Sequence, residues 1–247
     1  MDSALSGPHI ARIAKVFYAL ATGLAELKSY YRNLSPNAGK VPADTRYFPS
    51  ITAYRDEKLG LISFKYVGFL ENDPDCTTLH AKTKADKDIV VKFVDRYGER
   101  AHHILANEGY APEVLYYGTP HLHDSDPSYE SISMVVMDYI KGETLAKANQ
   151  ETLSKETKAR VEQDVMAALR LLHANELVFA DLRPPNVVIP EDPKRKIQLI
   201  DFNWPGEYGQ ATYPSLISPA VAWPEGVKPS AVMKKEHDLD MYKKLFH

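Results

Sequence analysis

Asp181 and Asn186 stand five positions apart in Asp181-Leu-Arg-Pro-Pro-Asn186, and twenty positions after Asp181 a second aspartate opens Asp201-Phe202-Asn203. Short apolar runs flank them: Leu177-Val-Phe-Ala180 before the first aspartate, Val187-Val-Ile189 behind the asparagine and Ile197-Gln-Leu-Ile200 before the second aspartate. Runs this short, punctuated by polar turns, predict very short strands at 177–179, 187–189 and 197–200 with the polar residues at their ends. A fold that honours the pattern brings two carboxylates and an amide to the mouth of one cleft. An aspartate so placed accepts or orients a hydroxyl proton. Amide and carboxylate oxygens suit Mg²⁺, a hard ion that takes oxygen ligands and keeps several waters. Taken singly, each residue is as well explained as the cap of a turn. The order and spacing together point to phosphoryl transfer, which asks a protein mainly for positioning and charge.

Composition narrows the setting. Of 247 residues, 44% are hydrophobic and 26% charged, the balance of an ordinary globular protein. A formal net charge of −3 argues against a nucleic-acid partner bound by phosphate neutralisation. The single cysteine, Cys76, leaves no internal disulfide and fits a reducing compartment, so a cytoplasmic location is expected. No Cys or His spacing suggests a zinc site. Val16–Ala25 is the one stretch that resembles a signal peptide, but Asp2 precedes it and an amphipathic pattern runs through it, so secretion is not expected. No stretch reaches the roughly 18 apolar residues of a membrane span, and no membrane partner is expected.

Ile10, Ile13, Phe17, Leu20, Leu24, Leu27 and Tyr31 recur at 3-4-3-4-3-4 spacing, predicting an amphipathic helix over 8–33. Its stripe is expected to pack on the chain's own body, with dimerisation as the alternative. Residues 35–49 read as loop. Strands are expected at 61–70, 77–82, 88–94, 113–117 and 131–139, with a helix over 98–108 inserted among them. The clearest helix is 154–174, where Val161, Val165, Ala168, Leu169 and Leu172 make one apolar face. Five strands with one inserted helix, followed by a mainly helical half, predict a two-lobed α+β fold. Lys92 is a lone cation in the apolar strand Ile89-Val-Val-Lys-Phe-Val94, and a buried lysine needs a phosphate or a carboxylate.

These residues resemble the protein-kinase-like superfamily, and within it the kinase-like domains of mushroom-forming (basidiomycete) fungi. The resemblance runs through Val91-Lys92-Phe93, Arg96-Tyr-Gly-Glu-Arg-Ala-His102, Met137-Asp138-Tyr139, Ile200-Asp-Phe-Asn-Trp204, Trp223-Pro-Glu-Gly-Val227 and His237-Asp238. Aminoglycoside and choline kinases are more distant relatives. The resemblance implies an N-terminal extension over 1–60, a small lobe over 61–139 and a short large lobe over 140–247. It implies ATP and Mg²⁺ as cofactors. Lys92 would contact the nucleotide phosphates, Asp181 would be the catalytic base, and Asn186 and Asp201 would be metal ligands. Arg183 would stand beside the γ-phosphate. Met137 would border the adenine pocket, Asp138, Tyr139 and Ile140 would form the hinge, and Glu143 would reach the ribose. Asp238 would buttress the loop that carries Asp181. For Lys92 the expected partner is Glu99, ahead of Glu108.

The chain also departs from the family pattern. The segment Leu70-Glu-Asn-Asp-Pro-Asp75 stands where a glycine-rich loop is expected, and Phe179-Ala180 where His-Arg usually precedes the aspartate. Asn203 replaces the glycine of the Asp-Phe-Gly turn, a position where asparagine tolerates left-handed backbone angles. The chain stops soon after Asp238, so a truncated large lobe is expected, with its uncovered face or the N-terminal helix as a surface for a homodimer. The expected activity is transfer of the γ-phosphoryl group of ATP to a hydroxyl of a protein or small molecule. The alternative is a pseudokinase acting as a nucleotide-binding or protein-binding scaffold.

Overall fold

The computed structural model describes residues 7–33, 48–70, 78–120, 131–148 and 153–246. Most of the acidic segment in the place of the glycine-rich loop, and most of the loop over 35–49, lie outside the described residues. The chain divides into two compact units, Met1–Phe48 and Pro49–His247. In the first, helix α1 spans Gly7–Asn33. Its apolar stripe is exposed along its length, from 47% at Ile13 to 67% at Phe17 and Tyr31.

The second unit opens with strands β1 (Ala53–Asp56), β2 (Gly60–Phe69), β3 (Thr78–Thr83) and β4 (Asp88–Val94). Helix α2 (Glu99–Asn107) follows, then β5 (Val114–Gly118) and β6 (Ser133–Asp138). They form one antiparallel sheet in the order β1-β2-β3-β4-β6-β5. The sheet begins upstream of Leu61, because β1 pairs with β2 across a tight turn that ends in the left-handed Gly60. Alternation sorts the side chains of β4 to two faces. Ile89 and Val91 join Phe64, Ala81, Met134 and Val136 in one apolar layer. Val90 and Val94 join Val135 and Met137 on the other. Lys92, two residues from each of those valines, shares their face and sits opposite Val135 in register.

The remainder is built on helices α3 (Lys155–Ala174) and α4 (Lys235–Phe246). Ser154 caps α3, its hydroxyl accepting from Thr157 N–H at 3.1 Å. Val161, Val165, Ala168, Leu169 and Leu172 bury the predicted face against Leu177, Phe179, Leu182, Val187, Leu199 and Met241. Around this core run short strands β7 (Gly142–Thr144), β8 (Leu177–Val178), β9 (Val187–Pro190), β10 (Gln198–Leu199) and β11 (Gly206–Glu207). β9 is sandwiched between β10 and β7, and β8 pairs with β11. Strands β1, β7 and β11 have too few residues, or too little apolar alternation, to be read from sequence. The result is a two-lobed α+β fold, as the sequence predicted.

Candidate active site

Two left-handed residues shape the cleft between the lobes: Ala180 (φ 68°) and Asp201 (φ 64°). Such angles cost a non-glycine residue about 1–2 kcal/mol, so something must hold them. For Ala180 that is Asp238, which sits on α4 and is 1% exposed. Its Oδ2 accepts from Phe179 N–H at 2.8 Å and from His173 Nε2 at 2.9 Å, and its Oδ1 accepts from Ala180 N–H at 2.8 Å. The turn that aims Asp181 into the cleft is thereby pinned to the second lobe's core. At Asp201 the chain turns directly after β10. The left-handed angle falls on this residue and not on Asn203, where sequence reasoning expected it.

Asp181 is 3% exposed. Its Oδ1 accepts from Arg183 Nε at 2.5 Å, and its Oδ2 accepts from Arg183 Nη2 at 2.8 Å and Asn186 Nδ2 at 2.9 Å. Asn186 Nδ2 also donates to the Asp181 carbonyl at 2.8 Å, so both of these bonds use the amide nitrogen and neither uses the amide oxygen. Burial raises the Asp181 pKa, and the Arg183 hydrogen bonds and charge oppose that rise. Ile200 N–H donates to the Asn186 carbonyl at 3.0 Å, which sets Asp201 beside Asn186.

Lys92 Nζ donates to Asp201 Oδ1 at 2.6 Å, linking the two lobes with a lysine that is 9% exposed. The expectation that Glu99 would pair with Lys92 is corrected here. Glu99 lies in the first turn of α2 on its solvent side, half exposed, 3.7 Å from His103 Nε2. The residue on the inner face of α2 is His102, which is fully buried. His102 Nε2 donates to the Pro112 carbonyl at 2.8 Å, its Nδ1 accepts from the Tyr97 hydroxyl, and its ring stacks on Phe202.

Met137 shares the cleft face with Val90, Val94 and Val135. Asp138, Tyr139 and Ile140, the residues expected to form the hinge, follow it. Asp138 N–H is already used by the Glu113 carbonyl at 3.0 Å, and its carboxylate is ion-paired with Lys87 Nζ at 2.6 Å. The Tyr139 ring packs on His80, with ring centroids 4.7 Å apart. Glu143 sits on β7, exposed, opposite Ile189. Thus Asp181, Arg183 and Asn186 form one hydrogen-bonded cluster, the Lys92–Asp201 pair is tied beside it through the Ile200–Asn186 backbone bond, and Glu99 stands outside both.

Sequence reasoning missed two supports. Arg96 crosses from the first lobe, Nη1 donating to the Thr212 carbonyl at 2.8 Å and Nη2 to the Trp204 carbonyl at 3.1 Å. Trp204 and Trp223 stack at 5.4 Å, and the Arg183 guanidinium lies over Trp223 at 5.9 Å. Both depend on contacts across more than a hundred residues or between separate loops, and no local pattern signals them.

The chain belongs to the protein kinase domain family, which matches residues 82–242. Among curated proteins it is similar to "Probable serine/threonine-protein kinase mkcC" of Dictyostelium discoideum, 28% identical over 130 residues. That match takes in 49% of this chain and 14% of the relative, so the chain spans only a small part of its length. In fold it is similar to the structure of vaccinia related kinase 3, with a TM-score of 0.51 and 14% identity over 81% of this chain and 67% of that one.

Proposed function

We propose that the protein is a phosphotransferase that moves the γ-phosphoryl group of Mg-ATP to a hydroxyl of a protein or small molecule. The observation that carries this reading is the convergence of Lys92, Asp201, Asn186 and Asp181 on one cleft from three separate segments, with Arg183 paired to Asp181. The donor set fits the group it would hold. Among the described residues no cluster of three His, Cys, Asp or Glu side chains could cage a metal by itself. Mg²⁺ needs no such cage, since it takes one or two protein oxygens and completes its shell with phosphate and water. The Asn186 amide oxygen and the Asp201 carboxylate would hold it, and the bound ion would neutralise charge on the phosphates.

The chain's own residues do the rest. Lys92 exchanges Asp201 for a phosphate oxygen, and the apolar face of Val90 and Met137 takes the base. The Arg183 fork, always charged and planar, turns from Asp181 to the γ-phosphate. That turn opens Asp181 Oδ1 to accept the proton of the substrate hydroxyl. Trp223 gives the guanidinium a flat seat in either position. Backbone hinge contacts by Tyr139 and Ile140, and a ribose contact by Glu143, belong to the same reading. So do the narrower resemblance to fungal kinase-like domains and a cytoplasmic location.

The alternative, a nucleotide-free scaffold, draws on one observation: both cations of the site are already satisfied by its own carboxylates. A thermal-shift titration of ATP with and without Mg²⁺, on wild type and Asp201→Ala, separates the two readings. At a hundredfold excess over Kd, binding adds about 2.7 kcal/mol, or roughly 5–11 °C for a domain of this size. A metal-dependent shift lost in Asp201→Ala supports the phosphotransferase. No shift at millimolar ATP rejects it in favour of the scaffold.

A further inference from the structure

We propose that α1 is a dimerisation helix, its stripe of Ile10, Ile13, Phe17, Leu20, Leu24, Leu27 and Tyr31 pairing with the same stripe of a second copy of this chain. The inference does not depend on the phosphotransferase reading, because it concerns only the Met1–Phe48 unit.

The period of the stripe is the first argument. Steps of three and four residues average 3.5, the repeat of a seam between two helices, and they persist across the described helix from Ile10 to Tyr31. A helix packed on a globular core carries a broader apolar face, with a further flanking position filled by large residues. Here the positions bordering the seam are Ala14, Ala21 and Lys28 on one side and Val16, Gly23 and Tyr30 on the other. Through the middle of the helix those shoulders are small, so two backbones can approach closely.

Area is the second argument. Each seam side chain is exposed by 47% to 67%. Seven large residues exposed to that degree offer on the order of 800 Å² per helix, the area a stable dimer buries on each partner. A helix of this length runs about 40 Å, long enough for all the seam residues from Ile10 to Tyr31 to interlock as knobs into holes.

Charge favours a second copy over a lipid surface. Arg12, Lys15, Glu26 and Arg32 lie off the seam, and only Lys28 borders it, so self-pairing brings no like charges face to face. A helix lying in a membrane interface has a strongly charged polar face. The outer face of α1 also carries Ala11, Ala19, Thr22 and Ala25, and is too weakly charged for that role.

The test is light scattering coupled to size exclusion on the full chain at micromolar concentration. Wild type should give twice 27.8 kDa. Phe17→Glu with Leu24→Glu places two carboxylates in the seam and should weaken the dimer on the order of 100-fold, returning the single-chain mass. Ala19→Glu with Ser29→Glu, on the outer face, should leave the dimer intact and controls for added charge. A wild type that runs as a monomer overturns the proposal, and pelleting of that monomer with anionic vesicles would assign the stripe to lipid. A dimer that survives the seam substitutions equally overturns it, by moving the contact to another surface.

Discussion

Phe202 lies face to face on His102, with ring centroids 4.1 Å apart and planes within 3° of parallel. Phe179 meets the other side of Phe202 edge-on at 5.5 Å, and Tyr97 flanks both rings. An aromatic column therefore joins α2 to the turn carrying Asp201 and to the segment leading into Asp181. The geometry of the site is set by this packing as much as by its charged groups. His102 can stand in the column only as a neutral ring, and burial holds its pKa down at about 3.

That depression has a sign. The unfolded chain takes a proton on His102 below about pH 6.5, while the folded chain does not until about pH 3. Stability therefore falls as pH drops through that window, by about 1.4 kcal/mol per pH unit once below 6.5. Urea unfolding at pH 7 and pH 5 should show wild type losing roughly 2 kcal/mol more than His102→Phe. Equal losses in the two proteins would mean that the imidazole is not held neutral.

Asp238→Asn should cost about 2–4 kcal/mol, since one carboxylate satisfies two buried backbone donors and the half-buried His173, and an amide can accept only on its oxygen. Thermal unfolding should fall by roughly 5–15 °C. Much of the loss falls on Ala180, which no longer has a partner holding its left-handed angle. Adding Ala180→Gly should recover part of the loss by relieving that strain.

Arg183 and Asp181 should be strongly non-additive. Arg183→Ala leaves a buried carboxylate without its counter-charge and should destabilise the ligand-free protein by about 2–3 kcal/mol, discounted for the partial exposure of Arg183. In that background Asp181→Asn should restore stability, giving a coupling of at least about 1 kcal/mol in a double-mutant cycle. Additive effects would show that the pair seen here is not held in solution.

Gly98 tests the seam between the lobes. Its N–H donates to the Phe202 carbonyl at 2.7 Å, and a Cβ there would lie 2.7 Å from Pro205 Cβ and 2.8 Å from the Pro205 carbonyl oxygen. Gly98→Ala should cost about 1–3 kcal/mol by overpacking and should weaken nucleotide binding by displacing the Asp201 turn. Its φ of −87° is negative, so alanine meets no left-handed penalty there and the contact with Pro205 is the main source of the loss.

Glu99→Gln should change neither the stability nor the Mg-ATP thermal shift, because the side chain faces solvent beside His103. A lost shift would return Glu99 to the Lys92 site.

Much of this molecule was legible in one dimension. The 3-4 spacing of α1, the short apolar run of β4 and the apolar face of α3 are local consequences of helix and strand geometry. The bounds of β4 and α3 follow directly from them. The order Asp181, Asn186, Asp201 marked the site for a similar reason, since each residue borders a short apolar run that must return to the core.

Residue types and their spacing were enough to show which side chains could carry chemistry and which faces had to be buried. Which residues meet was decided only by the tertiary structure. Lys92 pairs with Asp201, 109 positions away, because two lobes close on each other, while Glu99, an equally plausible carboxylate by spacing, is turned outward by the phase of α2. The column of Phe179, Phe202 and His102, the reach of Arg96 to Trp204 and the seat of Arg183 on Trp223 rest on the same kind of long-range packing. Local propensity has a range of a few residues, whereas a buried ring or charge takes whatever partner the closed core presents to it.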